Sequence, residues 1–552
     1  MNIYNPNLMK TNFFTLIFLM LSMSIFAQDI SEAKKIPTTY DRSSFAVFFL
    51  DNSSNGHWGK VKAKIDSIVY SDKYDNNNFK NIILKSSVSG QAGTKSSQEE
   101  LLKELNKMNV GRELISKWYS RQPDGTMDME LIHQRGRFTA TDADFLRAQT
   151  SKRGNAALED FGNRLVNLSH VLVIDLQNVQ TMEEAKVTNM KGWKANSVGY
   201  IYRLDFNEET RNALYDTWIY DDDSEADKAQ KRKAFEQIEF PLVPVLQKTV
   251  SVTASQMESS SGLRLALKSK SMDQLLQEMV QKSYDEIIYQ MEMGVEEFKV
   301  TTPLYSTRPL RAKIGLKEGL KTDYRFFVYE HVYNPKTNQA EPKQRGVIRA
   351  GTKSQIVDNR REATGDMGTS KFYQVAGRKL EAGFTLQQQN DFGMELLVGG
   401  EVGNTAGLYL RGDIRLSRFV GIKALFVYVE GGGIDSKTYE GEESTFFRYG
   451  GGLAKGFQLM RNIELRPFAG AGLDNTTNSK ILSGESISSL YVRGGANLAL
   501  NLKHSIQLVG GAGYYGFIGY ATDSDGNHDN KTWDYYFKKS GTTAIVGVKF
   551  MF

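Results

Sequence analysis

From Phe392 to Phe552 the chain alternates apolar and polar residues in steps of two through eight segments, each roughly 10 to 15 residues long. In the last segment Ala544, Val546, Val548, Phe550 and Phe552 share one face, and Thr543, Ile545, Gly547, Lys549 and Met551 share the other. Successive side chains of a strand point to opposite faces, so each segment has one apolar and one mixed face. In the second segment Leu408, Leu410, Gly412, Ile414 and Leu416 oppose Tyr409, Arg411, Asp413 and Arg415. In the sixth, Leu490, Val492, Ala496, Leu498, Leu500 and Leu502 oppose Tyr491, Arg493, Asn497, Ala499 and Asn501.

Such segregation suits an antiparallel barrel with hydrocarbon outside and a packed interior. A soluble sandwich also alternates, but it would spread its charges over a solvated face and would not sort its turns by length. Here they sort. After a first hairpin at Gly403 to Thr405, short links recur at Leu416 to Phe419, Leu459 to Asn462 and Leu502 to His504. Longer polar loops lie between them at Ile434 to Thr445, Asp474 to Ser486 and Ala521 to Ser540. Tight turns on the periplasmic side and long loops outside would place both barrel ends, and everything before Phe392, in the periplasm. On this register Glu395, Glu401, Arg411, Asp413, Arg415, Lys423, Arg448, Glu464, Arg466, Arg493 and Lys549 point inward. An eight-stranded barrel is just wide enough to be filled by its own side chains, so these charges are expected to cross-pair into a plug rather than line a pore.

On this pattern, and on the terminal Phe552 that their assembly signal shares, the chain resembles the eight-stranded outer-membrane barrels of the OmpA and OmpX type. The resemblance covers the C-terminal third. The peptidoglycan-binding domain that follows the barrel in two-domain members does not follow here, so no wall-binding role is carried over.

At the other end, Phe13 to Ile25 is a short apolar run after Lys10 and before Phe26, Ala27 and Gln28. It is too short for a spanning helix and fits a secretory signal ending near Ala27, with Met9 as an alternative start. The ending Ala27-Gln28-Asp29 is similar to signals common in Bacteroidota. Cysteine is absent, which excludes disulfides, thiolate chemistry and a lipoprotein anchor. The net charge of +5 is small and dispersed, giving nucleic-acid binding no support. The mean hydropathy of -0.42 is compatible with a barrel whose strands are half apolar and are diluted by a polar region.

Length predicts about three or four domains. The reading is a signal at 1–27, a periplasmic α/β domain at 28–256, a linker and amphipathic helix at 257–298, a small β domain at 299–391 and the barrel at 392–552. The fold class is thus multidomain: an α+β region and a small β domain, then an antiparallel transmembrane β-barrel of about eight strands. Phe45 to Leu50 and His170 to Leu176 read as buried strands, with Gly199 to Phe206 pairing on the latter. Ser97 and Glu100 form a capping-box pair ahead of Leu101, Leu102, Leu105 and Met108. The run Asp221, Asp222, Asp223 and Glu225 reads as the cap of a helix rather than a cation site. Ser251 to Gly262 reads as a linker or exposed loop. A helix from Ser271 to about Glu297 carries Met272, Leu275, Leu276, Met279, Ile287, Ile288 and Met291 as a core stripe, expected to pack on the β domain that follows. In that domain Leu310 to Leu316, Tyr324 to Tyr333 and Gly346 to Ala350 are strand-like, with a turn at Asn334 to Asn338, and an SH3-like or OB-like barrel is one arrangement. The two units together faintly resemble periplasmic domains of envelope-assembly proteins.

Chemistry is sparse. Gly511, Gly513 and Gly516 have dinucleotide-motif spacing but sit in a barrel strand with no helix after them. The six histidines, at 57, 133, 170, 331, 504 and 528, are dispersed and read as structural. The best metal candidate is Asp523, Asp525, Asn527 and Asp529, whose oxygens at alternate positions suit calcium; against it, Gly526 precedes Asn527, and Asp534 stands where a bidentate Glu belongs. Trp533, Tyr535, Tyr536 and Phe537 beside it read as an interfacial aromatic belt.

The sequence therefore points to a non-enzymatic outer-membrane anchor without a cofactor, whose partners are outer-membrane lipid and other envelope proteins. A narrow channel and a lipid- or peptidoglycan-acting enzyme are the alternatives.

Overall fold

Phe45 to Leu50 is an uninterrupted apolar run because both of its faces are covered. In the computed structural model, which describes residues 40–139, 164–257, 269–336, 339–360, 368–389, 391–477, 480–482 and 486–552, it forms the heart of a mixed sheet. The strands are β1 (Ser44–Leu50), β2 (Asp75–Asn76), β3 (Ile83–Leu84), β4 (Ser169–Thr181), β5 (Met190–Leu204) and β6 (Leu242–Met257). β1 pairs in parallel with β2, β3 and β4, and β4, β5 and β6 continue antiparallel. Phe45, Val47 and Phe49 meet α1 (Trp58–Ile65) on one side. Ala46, Phe48 and Leu50 meet α2 (Lys95–Lys107), α3 (Val110–Trp118) and α4 (Glu130–Thr139) on the other. Two further helices, α5 (Glu208–Asp216) and α6 (Glu225–Phe235), add Leu214 and Phe235 to that second core.

Three local expectations change. α2 begins at Lys95, capped by the hydroxyl of Thr94, which accepts from Ser97 N; Ser97 lies inside the first turn and donates to Ala92 O instead. α6 is capped by Ser224, with Glu225 and Asp227 in its first turn, while Asp223 is held by Lys231. Ser251 to Met257 is no linker but the end of β6, where Ser and Thr alternate with buried Val252 and Ala254 against β5; residues 258–262 lie outside the described residues, as does the signal segment.

The largest correction concerns α7 (Met272–Gly294). Its stripe of Leu275, Leu276, Met279, Val280, Ile287, Ile288 and Met291 buries against the α/β sheet and α1, not against the β domain that follows. The sheet offered an apolar face too broad for α1 alone, and Gly199 of β5 leaves the hollow that Ile287 fills.

The small β domain closes into a six-stranded barrel in the order β10-β11-β8-β7-β12-β9. Its strands are β7 (Thr301–Thr307), β8 (Leu310–Ala312), β9 (Arg325–Asn334), β10 (Gln339–Ala350), β11 (Ser370–Gly377) and β12 (Thr385–Gln389) around Leu304, Ile314, Phe326, Val328, Ile348, Phe372 and Leu386. The run expected to reach Leu316 as a strand stops at Ala312 and enters a 3-10 turn at Leu316–Glu318. Thr337 and Asn338 of the expected turn lie outside the described residues. Lys73 of the α/β domain fastens the units together: its buried ammonium donates to Glu292 of α7 (2.9 Å), to the Phe298 carbonyl (2.7 Å) and to Gln388 of β12 (3.3 Å).

After β12 only residues 390–393 separate the small barrel from the large one. The large barrel comprises β13 (Met394–Gly403), β14 (Gly407–Arg415), β15 (Leu425–Tyr439), β16 (Glu442–Lys455) with its continuation β17 (Phe457–Met460), β18 (Ile463–Thr476), β19 (Ile487–Asn501) and β20 (Ile506–Phe517). A short hairpin of β21 (Tyr520–Asp523) and β22 (His528–Thr532) precedes the closing strand β23 (Gly541–Met551). Two short helices, α8 (Ser417–Val420) and α9 (Trp533–Phe537), sit in its connections. Every neighbour pair is antiparallel, and β13 pairs with β23, so eight strands close. Val398, Leu408, Ile414, Val429, Leu453, Leu490, Val492, Leu498, Leu508, Val546 and Phe550 are exposed around the outside. An apolar patch of that extent would be a liability in water and is the normal surface of a membrane-spanning barrel. The expected loop at Ile434 to Thr445 is mostly strand: β15 and β16 run on as a long hairpin turned by Glu440 and Gly441, both with positive φ.

A Cβ on Gly199 would stand 2.5 Å from Ile287 Cγ2. Gly199→Ala is therefore expected to destabilise the α/β domain by about 1–3 kcal/mol. Denaturant unfolding followed through the buried Trp118 and Trp193 measures this, and an unchanged midpoint would contradict the packing described.

Candidate functional site: a charged lumen and its two closures

Because β13–β23 send alternate residues inward, the lumen collects whatever the outer face excludes. At the proximal half, nearest the small barrel, Glu395 accepts from three cations: Arg466 at 2.6 Å, Arg415 at 3.1 Å and Lys549 at 3.3 Å. Arg466 also donates to Glu464 (2.7 Å), and Arg411 donates to Asp413 (2.7 Å). The guanidinium planes lie on rings, Arg411 3.7 Å from the Tyr428 centroid and Arg466 3.8 Å from Phe426.

In the distal half Arg493 bridges Glu430 (2.7 Å) and Glu401 (2.9 Å), Arg448 donates to Glu401 (3.0 Å), and Tyr409 donates to Glu430 (2.7 Å). Tyr428 and Tyr491 reach across the lumen because the opposing wall is glycine. A Cβ at Gly470 would come within 2.3 Å of the Tyr428 hydroxyl, and one at Gly450 within 2.5 Å of that of Tyr491. Gly511 and Gly513 also face the lumen, beside Asn497 and Phe468, in strand β20, which is followed by the β21–β22 hairpin and not by a crossover helix.

Both mouths are closed. At the distal mouth α9 turns inward, burying Trp533, Tyr536 and Phe537 against Phe446, Ile487, Tyr491 and Phe517. The Trp533 indole donates to Asp474 O (3.2 Å), and below it Lys539 pairs with Asp474 at 2.5 Å. The aromatic belt expected here is thus a plug, with only Tyr535 outside: one helical turn carries residues 533, 536 and 537 to the same side. The calcium candidate does not assemble. Asp523 accepts from the backbone N–H groups of Asp525 and Asn527 and from the Asn527 amide, Asp529 takes the Tyr536 hydroxyl, and Asp525 and Asn527 are exposed. Among the described residues no group of three His, Asp or Glu is placed to hold a metal.

At the proximal mouth the small barrel is the closure. Asp323, fully buried, takes Arg415 at 3.0 Å, the Ala424 N–H at 2.6 Å and the Tyr373 hydroxyl at 2.7 Å. Asp391, in the connection, binds Arg349 (2.6 Å), Arg325 (3.4 Å) and Arg418. Gly377 N donates to Asn462 (2.7 Å), and Phe327 lies against His504. The proximal cluster has four cations, Arg411, Arg415, Arg466 and Lys549, against three barrel carboxylates, Glu395, Asp413 and Glu464; Asp323 is the fourth. The lumen therefore reaches charge balance only with the small barrel docked.

Ten of the eleven inward charges read from the sequence lie buried in this lumen. Lys423 does not. It sits in the turn after α8, where Ala424 adopts a positive φ and the alternation loses phase, and its ammonium stands 3.8 Å from the Tyr373 ring centroid. The residues missed are Glu430, Asp474 and Lys539 inside and Asp323, Asp391 and Arg418 at the junction. Glu430 continues the inward series Phe426, Tyr428, so phase alone would have found it but for the glycines that follow at 431–433.

No family model matches the chain, and no curated protein matches it in sequence. Solved structures similar to it include a major outer membrane protein from Thermus thermophilus (14% identity, 29% of this chain and 99% of that one, TM-score 0.20). The N-terminal beta-barrel domain of Pseudomonas aeruginosa OprF is 15% identical over 30% of this chain and 100% of that one (TM-score 0.20). Ail, the attachment invasion locus protein of Yersinia pestis, is 14% identical over 29% and 99% respectively (TM-score 0.19). The likeness is one of fold alone.

Burial pushes the Asp323 carboxyl up, but Arg415 and Arg349, with hydrogen bonds from Ser417 and Tyr373, outweigh it and hold it at about 2. A depressed carboxylate stabilises docking above its unfolded value of about 3.9 and loses that contribution as pH falls toward 2. Hydrogen exchange of β9 and β11 is expected to rise across that acid window. Asp323→Asn, which leaves Arg415 with Glu395 alone and the proximal cluster one positive charge in excess, should loosen the dock by about 3–5 kcal/mol at neutral pH, and Asp323→Asn with Arg415→Met should recover most of it.

Proposed function

We propose that the chain is an outer-membrane anchor whose barrel holds the α/β domain and the small barrel on the periplasmic side, where they bind and position other envelope components. The observation that carries this reading is the lumen: filled by paired charges, closed by α9 at one mouth and by the small barrel at the other, it serves as a rigid post rather than a conduit. The Asp323–Arg415 and Asp391–Arg349 pairs transmit that rigidity to the N-terminal units. Both barrel ends lie at the proximal mouth, and the long β15–β16 hairpin and the 518–540 connection lie at the distal one, a sorting of short and long connections that supports the reading of the proximal side as periplasmic.

Two measurements test the reading. In planar bilayers the full chain is expected to give no steady conductance; well-defined unitary currents would favour a narrow channel instead. Affinity capture with residues 28–391 from envelope extracts, repeated after cross-linking of the full chain in cells, is expected to recover the same envelope proteins. Recovery of none in either format would overturn the scaffold role, and altered lipid or muropeptide profiles in a deletion strain would favour an enzyme.

A further inference from the structure

The three proximal turns differ in chemistry from everything at the distal end. Residues 416–424, 456–462 and 502–505 contain no Asp or Glu, yet they carry Arg418, Lys423, Arg461 and Lys503. The distal connections, residues 404–406, 434–445, 477–486 and 518–540, carry nine Asp and Glu against five Lys. Arg418 is engaged by Asp391, but Arg461 and Lys503 are exposed and Lys423 is half-exposed. The inner sides of these turns hold the small barrel through Asn462, His504 and Lys423, so their outer sides alone are open.

Those outer sides are apolar. Phe419 is 82% exposed, Met460 67% and Leu459 56%, and Val420, Ile422, Phe457 and Leu502 are each about half exposed. Large apolar side chains at the tips of turns, interleaved with lysine and arginine, match one environment: the boundary where acyl chains end and headgroups begin, with the long cationic side chains reaching outward to the phosphates. Free phosphate in water would leave the Phe419–Ile422 and Phe457–Met460 clusters uncovered.

We propose that the proximal rim is a binding surface for anionic phospholipid headgroups of the leaflet it penetrates, with Arg461 and Lys503 as the headgroup contacts and Phe419, Phe457 and Met460 as the acyl contacts. The inference rests on the membrane-spanning reading of the barrel and adds which leaflet chemistry its proximal side selects. Clustered Lys and Arg beside a membrane are attracted to an anionic leaflet, an attraction that falls off within a Debye length and is weakened by salt.

The five native tryptophans lie in the α/β domain and, as Trp533, inside the distal plug, so none touches lipid at the rim. Phe457→Trp therefore supplies a reporter four residues from Arg461. The full chain carrying it is reconstituted in phosphatidylcholine vesicles doped with either brominated phosphatidylglycerol or brominated phosphatidylcholine. Half-maximal quenching is expected at a roughly three- to tenfold lower mole fraction of the anionic lipid at low salt, a preference that shrinks at high salt. It should vanish in the background Arg461→Gln, Lys503→Gln and persist in the distal control Lys531→Gln. Equal quenching by both lipids, or a preference that survives the double substitution, overturns the inference while leaving the barrel in the membrane. No quenching by either lipid overturns the membrane-spanning reading itself.

Discussion

The architecture depends on one electrostatic requirement, that every charge turned into the barrel finds a partner there. Glu395 with its three cations and Arg493 with its two carboxylates are the two nodes. Removing either partner of such a pair would leave a buried ion in a space too narrow for bulk water, at a cost of about 3–5 kcal/mol. The outward alternation of Leu, Val and Phe follows from the same register: a strand that sends Arg and Glu in must send something else out, and what it sends out is what hydrocarbon accepts. Interior glycines opposite Tyr428 and Tyr491 then let rings and guanidinium planes fill the remaining volume.

The proximal cluster reaches neutrality only with Asp323, so the small barrel is chemically part of the large one although it is a separate sheet. The α/β domain is joined in turn through Lys73, whose ammonium contacts α7, the Phe298 carbonyl and β12. A chain of buried polar contacts thus runs from the lumen to the first sheet, and it ties the α/β domain to the large barrel through the small one.

How much of this was legible in the sequence follows from range. Period-two alternation is local, so the eight strands, their faces and ten of the inward charges could be read directly, as could β1 and β4 from their short apolar, β-branched runs and β5 as a strand pairing with β4. Partnerships were not legible, because Glu395 meets Arg466 and Lys549 across 71 and 154 residues, and no spacing rule connects them. The destination of α7 failed for the same reason: its stripe announced burial but not against which face, and the receiving hollow at Gly199 lies far upstream. Phase errors account for Lys423 and Glu430, one beside a positive-φ residue in a turn and the other before a run of glycines. The aromatic cluster at 533–537 was misplaced because a single helical turn in a long connection reverses which side of the mouth its rings face.

The most direct measurement of the central claim is spin-label accessibility along the closing strand, which the absence of cysteine makes straightforward. Single cysteines at Ala544, Val546, Val548 and Phe550, labelled and reconstituted in vesicles, should be accessible to dissolved oxygen and shielded from an aqueous nickel reagent, while labels at Thr543 and Ile545 are immobilised and shielded from both. Outer positions open to the nickel reagent, or inner positions as mobile and accessible as outer ones, would contradict a filled barrel set in lipid.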